Sequence, residues 1–145
     1  MEDSPTRLNR PAMRTAAVLS WMLGLGFGLP CVYGIWHLAR RGEIATFLGF
    51  PTYGKGPFET AGVPTTIPLL TAFLMVCSGE FALGWLLWRQ RRGGAVLAIV
   101  LFPLEMVFWI GFALPFGPLV GVPRTIAVLV ALRSQARTAA SSAEA

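Results

Sequence analysis

Charge is scarce in this 145-residue sequence. Charged side chains make up 13% of it, about half the share of an ordinary soluble domain. Histidine occurs once, at His37, and cysteine twice, at Cys31 and Cys77. A single histidine and two isolated thiols, with no CxxC pair and no metal-ligand spacing, argue against a zinc or haem site within the chain and against a dithiol redox centre. The cysteines read as small buried hydrophobes. No metal, no cofactor and no catalytic residue is expected. The formal net charge of +5 does not indicate a nucleic-acid partner, because the basic residues form no continuous face.

What is present is apolar length. Hydrophobic residues are 54% of the chain, and they fall into long runs separated by arginine clusters at Arg7, Arg10 and Arg14, at Arg40 and Arg41, at Arg89, Arg91 and Arg92, and at Arg133 and Arg137. Crossing a bilayer core takes about 20 helical residues. Four spans meet that need, at about 15–38, 66–88, 95–114 and 119–132. The last is short and gains length if it begins near Phe116, with Pro118 in its first turn, where a missing N–H does no harm. The first is too long for a signal peptide and no cleavage pattern follows it. The fold expected is therefore all-α: an antiparallel four-helix transmembrane bundle over residues 13–133, with a disordered arm at 1–12 and a disordered tail at 134–145.

The loops predict orientation. The arm, the "RQRRGG" turn after the second span and the tail carry eight arginines; the other side carries Arg40, Arg41, Lys55 and Arg124, four in all. Basic residues concentrate on the cytoplasmic side, so both termini are expected in the cytoplasm, with the protein in the cytoplasmic (inner) membrane of a bacterium. Trp36, Trp85, Trp88 and Trp109 fall toward span ends, and Trp109, the least terminal, is the one that can face the bundle. Between the first two spans, "GFPTYGKGPFETAGVP" defeats regular structure with glycine and proline. Just before it, "EIATFLGF" puts Ile44, Phe47 and Leu48 on one helical face, so this stretch reads either as a short helix lying on the membrane or as an ordinary structured loop capping the bundle.

Small residues recur every fourth position in the first span, as Ser20, Gly24 and Gly28 and again as Gly26, Pro30 and Gly34. In lipid they allow close backbone approach, either to helices of the same chain or to a second copy. Pro30 predicts a kink.

Two acids lie inside the spans. Glu80 is in "MVCSGEFALGWLLW" and Glu105 in "LFPLEMVFW". A charge at mid-membrane costs about 3 kcal/mol, and each leucine returns only about 0.5 kcal/mol, so these acids must be neutral, paired or wet. Counted from the RQRRGG turn, they lie within about 3 Å of one depth, which lets neighbouring helices bring them together. Two carboxylates in one apolar site do not both ionise easily, and Glu80 is expected to face Glu105 and to be largely protonated. Counted from the "LPFGPL" turn, Arg124 lies about 6 Å in depth from Glu105, within an arginine's reach; Glu59 in the loop competes for it. Two readings follow. In one, Glu105–Arg124 locks the bundle and protonated Glu80 bonds to a backbone carbonyl. In the other, Glu80, Glu105, Trp109 and Arg124 form a polar ligand-binding pocket opening toward Tyr33 and His37.

In layout the chain resembles the small DoxX-like bacterial membrane proteins, with four helices, a short arginine-bearing turn and a last helix opening on an Arg-Thr pair, here "RTIAVLVALR". That resemblance covers about 66–133 and implies an accessory role at least as readily as catalysis. Acids in the second and third helices are also similar to the sterol-isomerase bundles, whose histidine and acid spacing this chain lacks. Small multidrug transporters place their glutamate in the first helix, which here has none. A binding or accessory subunit for a lipid-like or small apolar ligand is the leading expectation. The alternatives are a proton-coupled transporter working as an oligomer and an enzyme using the paired carboxylates for acid/base chemistry. The expected partners are the bilayer and a second copy or another membrane protein.

Overall fold

The computed structural model describes residues 10–143. Four long helices, α1 (Arg10–Arg41), α3 (Ile67–Trp88), α4 (Arg92–Gly111) and α5 (Phe116–Ala143), carry the fold, with β1 (Thr46–Phe47), β2 (Phe50–Pro51) and the one-turn α2 (Pro57–Thr60) between α1 and α3. Each long helix is long and apolar enough to cross a membrane, as a small integral membrane protein requires. The helices pack as a closed ring: α1 touches α3 and α5, and α4 touches α3 and α5. Consecutive spans are therefore antiparallel neighbours, and α3 and α5 face each other across the diagonal.

Local chemistry sets the helix ends. Thr66 caps α3, its hydroxyl accepting from the Leu69 N–H at 3.4 Å. The two tight turns close by the same device. Gln90 N–H donates to the Leu87 carbonyl and Arg91 N–H to that of Leu86; Ala113 N–H donates to Ile110 and Leu114 N–H to Trp109. These are Schellman closures, which need a left-handed residue after the cap, and here Gln90 (φ 55°) and Ala113 (φ 55°) take that place usually held by glycine. α1 runs through Pro30 as unbroken helix. α5 does begin at Phe116 with Pro118 in its first turn.

One expectation is corrected and one pair of alternatives is decided. The chain is helical from Arg10 and stays helical to Ala143, so residues 10–12 and 134–143 are not irregular arm and tail; alanine, arginine and glutamine in the tail are good helix formers that extend α5. The remainder of those two segments lies outside the described residues. Of the two readings of the "EIATFLGF" stretch, the structured loop capping the bundle is seen and the helix is not. The stretch forms the β1–β2 hairpin, in which Thr46 pairs with Pro51 and Phe47 with Phe50. Leu48 (φ 52°) and Gly49 (φ 82°) make its two-residue turn, with the left-handed pair that antiparallel strands favour.

The rest of this loop plugs one end of the bundle. Tyr53 is buried, donates its hydroxyl to the Phe27 carbonyl at 2.8 Å, and meets Phe73 and Phe112 edge-on. Burial pushes its phenol well above the usual range, so it remains a donor. Gly56 lies so close to the Gly111 carbonyl that a side chain there would collide. Phe58 stacks edge-on to Phe108 and Phe112. Glu59 is occupied locally, accepting from the Lys55 N–H at 2.8 Å and the Thr65 hydroxyl at 3.1 Å, and so does not compete for Arg124.

Candidate functional site

The bundle interior has two apolar ends and a polar middle. At the RQRRGG end, Met13, Ala17, Leu83, Leu87, Ala98 and Val128 form one cluster. At the loop end, Leu23, Cys31, Phe73, Cys77, Trp109 and Phe112 form another. Between them, each long helix contributes one buried polar side chain: Ser20 from α1 (0% exposed), Glu80 from α3 (2%), Glu105 from α4 (1%) and Arg124 from α5 (0%).

Arg124 is the hub. Its Nη1 donates to Glu80 Oε1 and, at 3.1 Å, to Glu105 Oε1, while Nη2 donates to Glu105 Oε2 at 2.8 Å and to Thr125 Oγ1 at 3.3 Å. The two arms on Glu105 make a parallel fork, the geometry a planar guanidinium suits and an ammonium cannot reproduce. Thr125 is itself fixed, donating to the Gly121 carbonyl at 2.9 Å. The bond to Glu80 crosses the bundle diagonal, so three helices meet at one cation. Glu80 Oε2, Arg124 Nε and Ser20 Oγ are buried without a hydrogen-bond partner in the protein.

Both sequence readings of the acids are altered by this arrangement. The depth match that predicts a Glu80–Glu105–Arg124 meeting is seen, but Glu80 pairs with Arg124 instead of with a backbone carbonyl. Trp109 is buried one turn from Glu105, and its indole is not among the hydrogen bonds that hold Arg124. It acts as a packing ring: a side chain at Gly117 or Gly121 of α5 would run into it, and Phe102 meets it edge-on at 6.4 Å. Tyr33 and His37 do not join the cluster. Tyr33 is exposed, and its ring packs on Trp36 at 5.9 Å and His37 at 5.8 Å, on the outer face of α1. No opening from the charged layer toward them is seen among the described residues, since all three side chains of the triad are closed off.

Sequence reasoning finds the three charged members through helix counting. It places Ser20 in a small-residue stripe without recognising that it completes the polar layer. It also misses Thr125, whose position directly after Arg124 is the only signal. The stripe itself packs within the chain. Ser20, Gly24 and Gly28 are buried, and a side chain on Gly24 would lie 2.9 Å from the Cys77 carbonyl of α3 and 3.5 Å from Glu80 Cβ.

Beside this close approach lies an open feature. A groove of about 340 Å³ runs between α1 and α3 on the outer surface, lined by Gly24, Gly28, Leu29, Leu74, Ser78 and Phe81 among others. Ser78 offers no free donor there, as its hydroxyl donates to the Leu74 carbonyl at 2.9 Å. Among the described residues no cluster of His, Cys, Asp and Glu is suited to a metal.

The fold and the layer together define a small four-helix bundle of the integral-membrane type, with a buried charged centre. Compared with protein-family models, curated proteins and solved structures, the chain matches none.

Proposed function

We propose that this chain is a binding or accessory subunit of a bacterial cytoplasmic membrane, and that it takes a lipid-like or small apolar ligand in the α1–α3 groove. The observation that carries this reading is the contrast between a closed polar layer and an open apolar groove. Both carboxylates are held by one guanidinium, away from solvent. A carrier that exchanges protons for a cationic solute needs a carboxylate it can release, and an acid/base enzyme needs one its substrate can touch. The groove instead presents glycine, leucine and phenylalanine surface suited to an apolar chain. An accessory role is also what the DoxX-like layout implies.

In this reading the charged layer is a lock. Two carboxylates and one guanidinium sum to zero when they share one proton, and a neutral cluster is the form an apolar interior tolerates. The lock fixes the α1–α3 wall, with Glu80 directly behind Gly24.

Purification in mild detergent followed by mass spectrometry of bound lipids and proteins tests the proposal. A stoichiometric apolar ligand or partner is expected, and Ser78→Phe, which fills the groove from the outer face of α3, should lose a groove-bound ligand while the bundle still folds. Proton-competed solute uptake, or turnover abolished by Glu80→Gln, would count against it.

The distribution of arginine supports an orientation with both termini in the cytoplasm. Arg14 lies over the Trp88 ring at 5.1 Å and Arg89 over Trp85 at 4.6 Å, which lends the RQRRGG end an arginine–tryptophan belt of the kind found at interfaces. With Cys31 and Cys77 replaced, an impermeant thiol reagent added outside should label Lys55→Cys and spare Arg91→Cys and Ala140→Cys. The opposite pattern would invert the topology.

A further inference from the structure

The β1–β2 hairpin leaves its apolar side chains in the open. Phe47 is 70% exposed, Leu48 84% and Phe50 75%, as bare as Met75 (72%) and Leu29 (66%) on the outward faces of the spans. Leu48 also stands at a left-handed turn position (φ 52°). Asparagine, aspartate or glycine would adopt that conformation at lower cost and dissolve better. Neither folding of the hairpin nor solubility accounts for a leucine there.

The fold also seats the segment that follows this hairpin low on the bundle end. Measured from the polar layer, α1 continues from Ser20 to Arg41, roughly 30 Å, whereas α4 continues from Glu105 only to Gly111, roughly 9 Å. The bundle end is therefore stepped. The loop fills the step, with Gly56 against Gly111 and Phe58 on Phe108 and Phe112. Half a hydrocarbon core is about 15 Å, so with the polar layer near the bilayer centre the Gly56–Phe58 segment packs at or just inside the boundary between acyl chains and headgroups, and the hairpin that leads into it is held beside that boundary. The charges around the tip are Arg40, Arg41 and Lys55, all exposed, against exposed Glu43; Glu59 is engaged by Thr65 and the Lys55 N–H. The balance is positive.

We propose that the hairpin is an interfacial anchor: Phe47, Leu48 and Phe50 insert at the headgroup–acyl boundary of the leaflet on the loop side, and Arg40, Arg41 and Lys55 hold anionic lipid headgroups beside them. Apolar and aromatic side chains at that depth with flanking cations are the combination that binds a lipid surface. The anchor ties the loop, and through the Tyr53–Phe27 hydrogen bond the middle of α1, to the surrounding lipid.

The full chain, with Cys31 and Cys77 replaced and a nitroxide attached at Leu48→Cys, is reconstituted in vesicles of phosphatidylcholine alone and of phosphatidylcholine with phosphatidylglycerol. A label at Phe50→Cys serves as the second site should the turn not tolerate the first, and Gly62→Cys is the loop reference. The expected result is relaxation of the tip labels by lipid-soluble oxygen several-fold more effective, relative to a water-soluble nickel chelate, than at position 62. Anionic lipid should enlarge the ratio, and Arg40→Gln with Arg41→Gln should remove that enlargement. A tip label relaxed by the nickel chelate as readily as position 62 would overturn the proposal. So would a tip label shielded from both reagents, or one broadened by spins on other copies, since either result places a protein on the hairpin.

Discussion

Arg124 is the residue on which the interior depends. A guanidinium with no exposed surface is tolerated in a protein interior only when it is well paired, and here two carboxylates and a threonine engage both terminal nitrogens, leaving Nε without a partner. The neighbouring packing is equally specific. Gly117 and Gly121 leave the slot into which the Trp109 ring fits, and α4 and α5 approach closely there as a result. Gly121→Val should therefore destabilise the bundle by about 1–3 kcal/mol, the usual range for overpacking a filled interior, as read by thermal unfolding in detergent. Gly26→Ala, at a helical position whose surroundings are open, should leave stability unchanged or raise it by up to about 1 kcal/mol. Equal effects at the two positions would show that the Trp109 slot is not a tight fit.

At the scale of elements, the helices are set by apolar length and the turns by hydrogen-bond closure. The α4–α5 turn uses a left-handed alanine at position 113 where glycine is favoured. Ala113→Gly should raise stability by about 0.5–1 kcal/mol, since the strain relieved outweighs the added freedom of the unfolded chain; a fall in the unfolding midpoint would contradict this account of the turn. Helix existence and pairing were legible in the sequence because four apolar runs of spanning length are separated by arginine clusters or by glycine- and proline-bearing turns. The hairpin was not. Ile44, Phe47 and Leu48 satisfy a helical spacing, and over eight residues that spacing cannot be told from a strand pair whose turn lacks its customary asparagine. Instead of lying along one face, Ile44 folds inward against Gly54 while Phe47 and Leu48 point out. The helical extension through residues 134–143 is not legible from the apolar runs, which end near residue 132; what favours it is the alanine and arginine content of the tail.

At the scale of the whole molecule, two apolar clusters are joined through one polar layer to which every long helix contributes. Counting residues from the turns puts Glu80 and Glu105 near one depth and Arg124 within side-chain reach of it, because a helix's rise is fixed and the turns are short. The same counting carried no information on the facing of Tyr33 and His37, which lie on the outer side of α1, or on the role of Ser20, whose neighbours suggested packing alone. The layer makes the two acids interchangeable in one respect: either can neutralise the arginine, and only the loss of both leaves a buried cation alone. The central claim is therefore tested most directly by a double-mutant cycle of Glu80→Gln and Glu105→Gln, with unfolding free energy in detergent as the readout. Each single substitution should cost no more than about 1–2 kcal/mol, as expected for a neutral group with a partner retained. The double substitution should cost about 3–5 kcal/mol beyond the sum of the singles, the penalty of an unpaired buried charge. A double variant whose loss equals that sum would show that the two carboxylates act independently, and would contradict the shared lock.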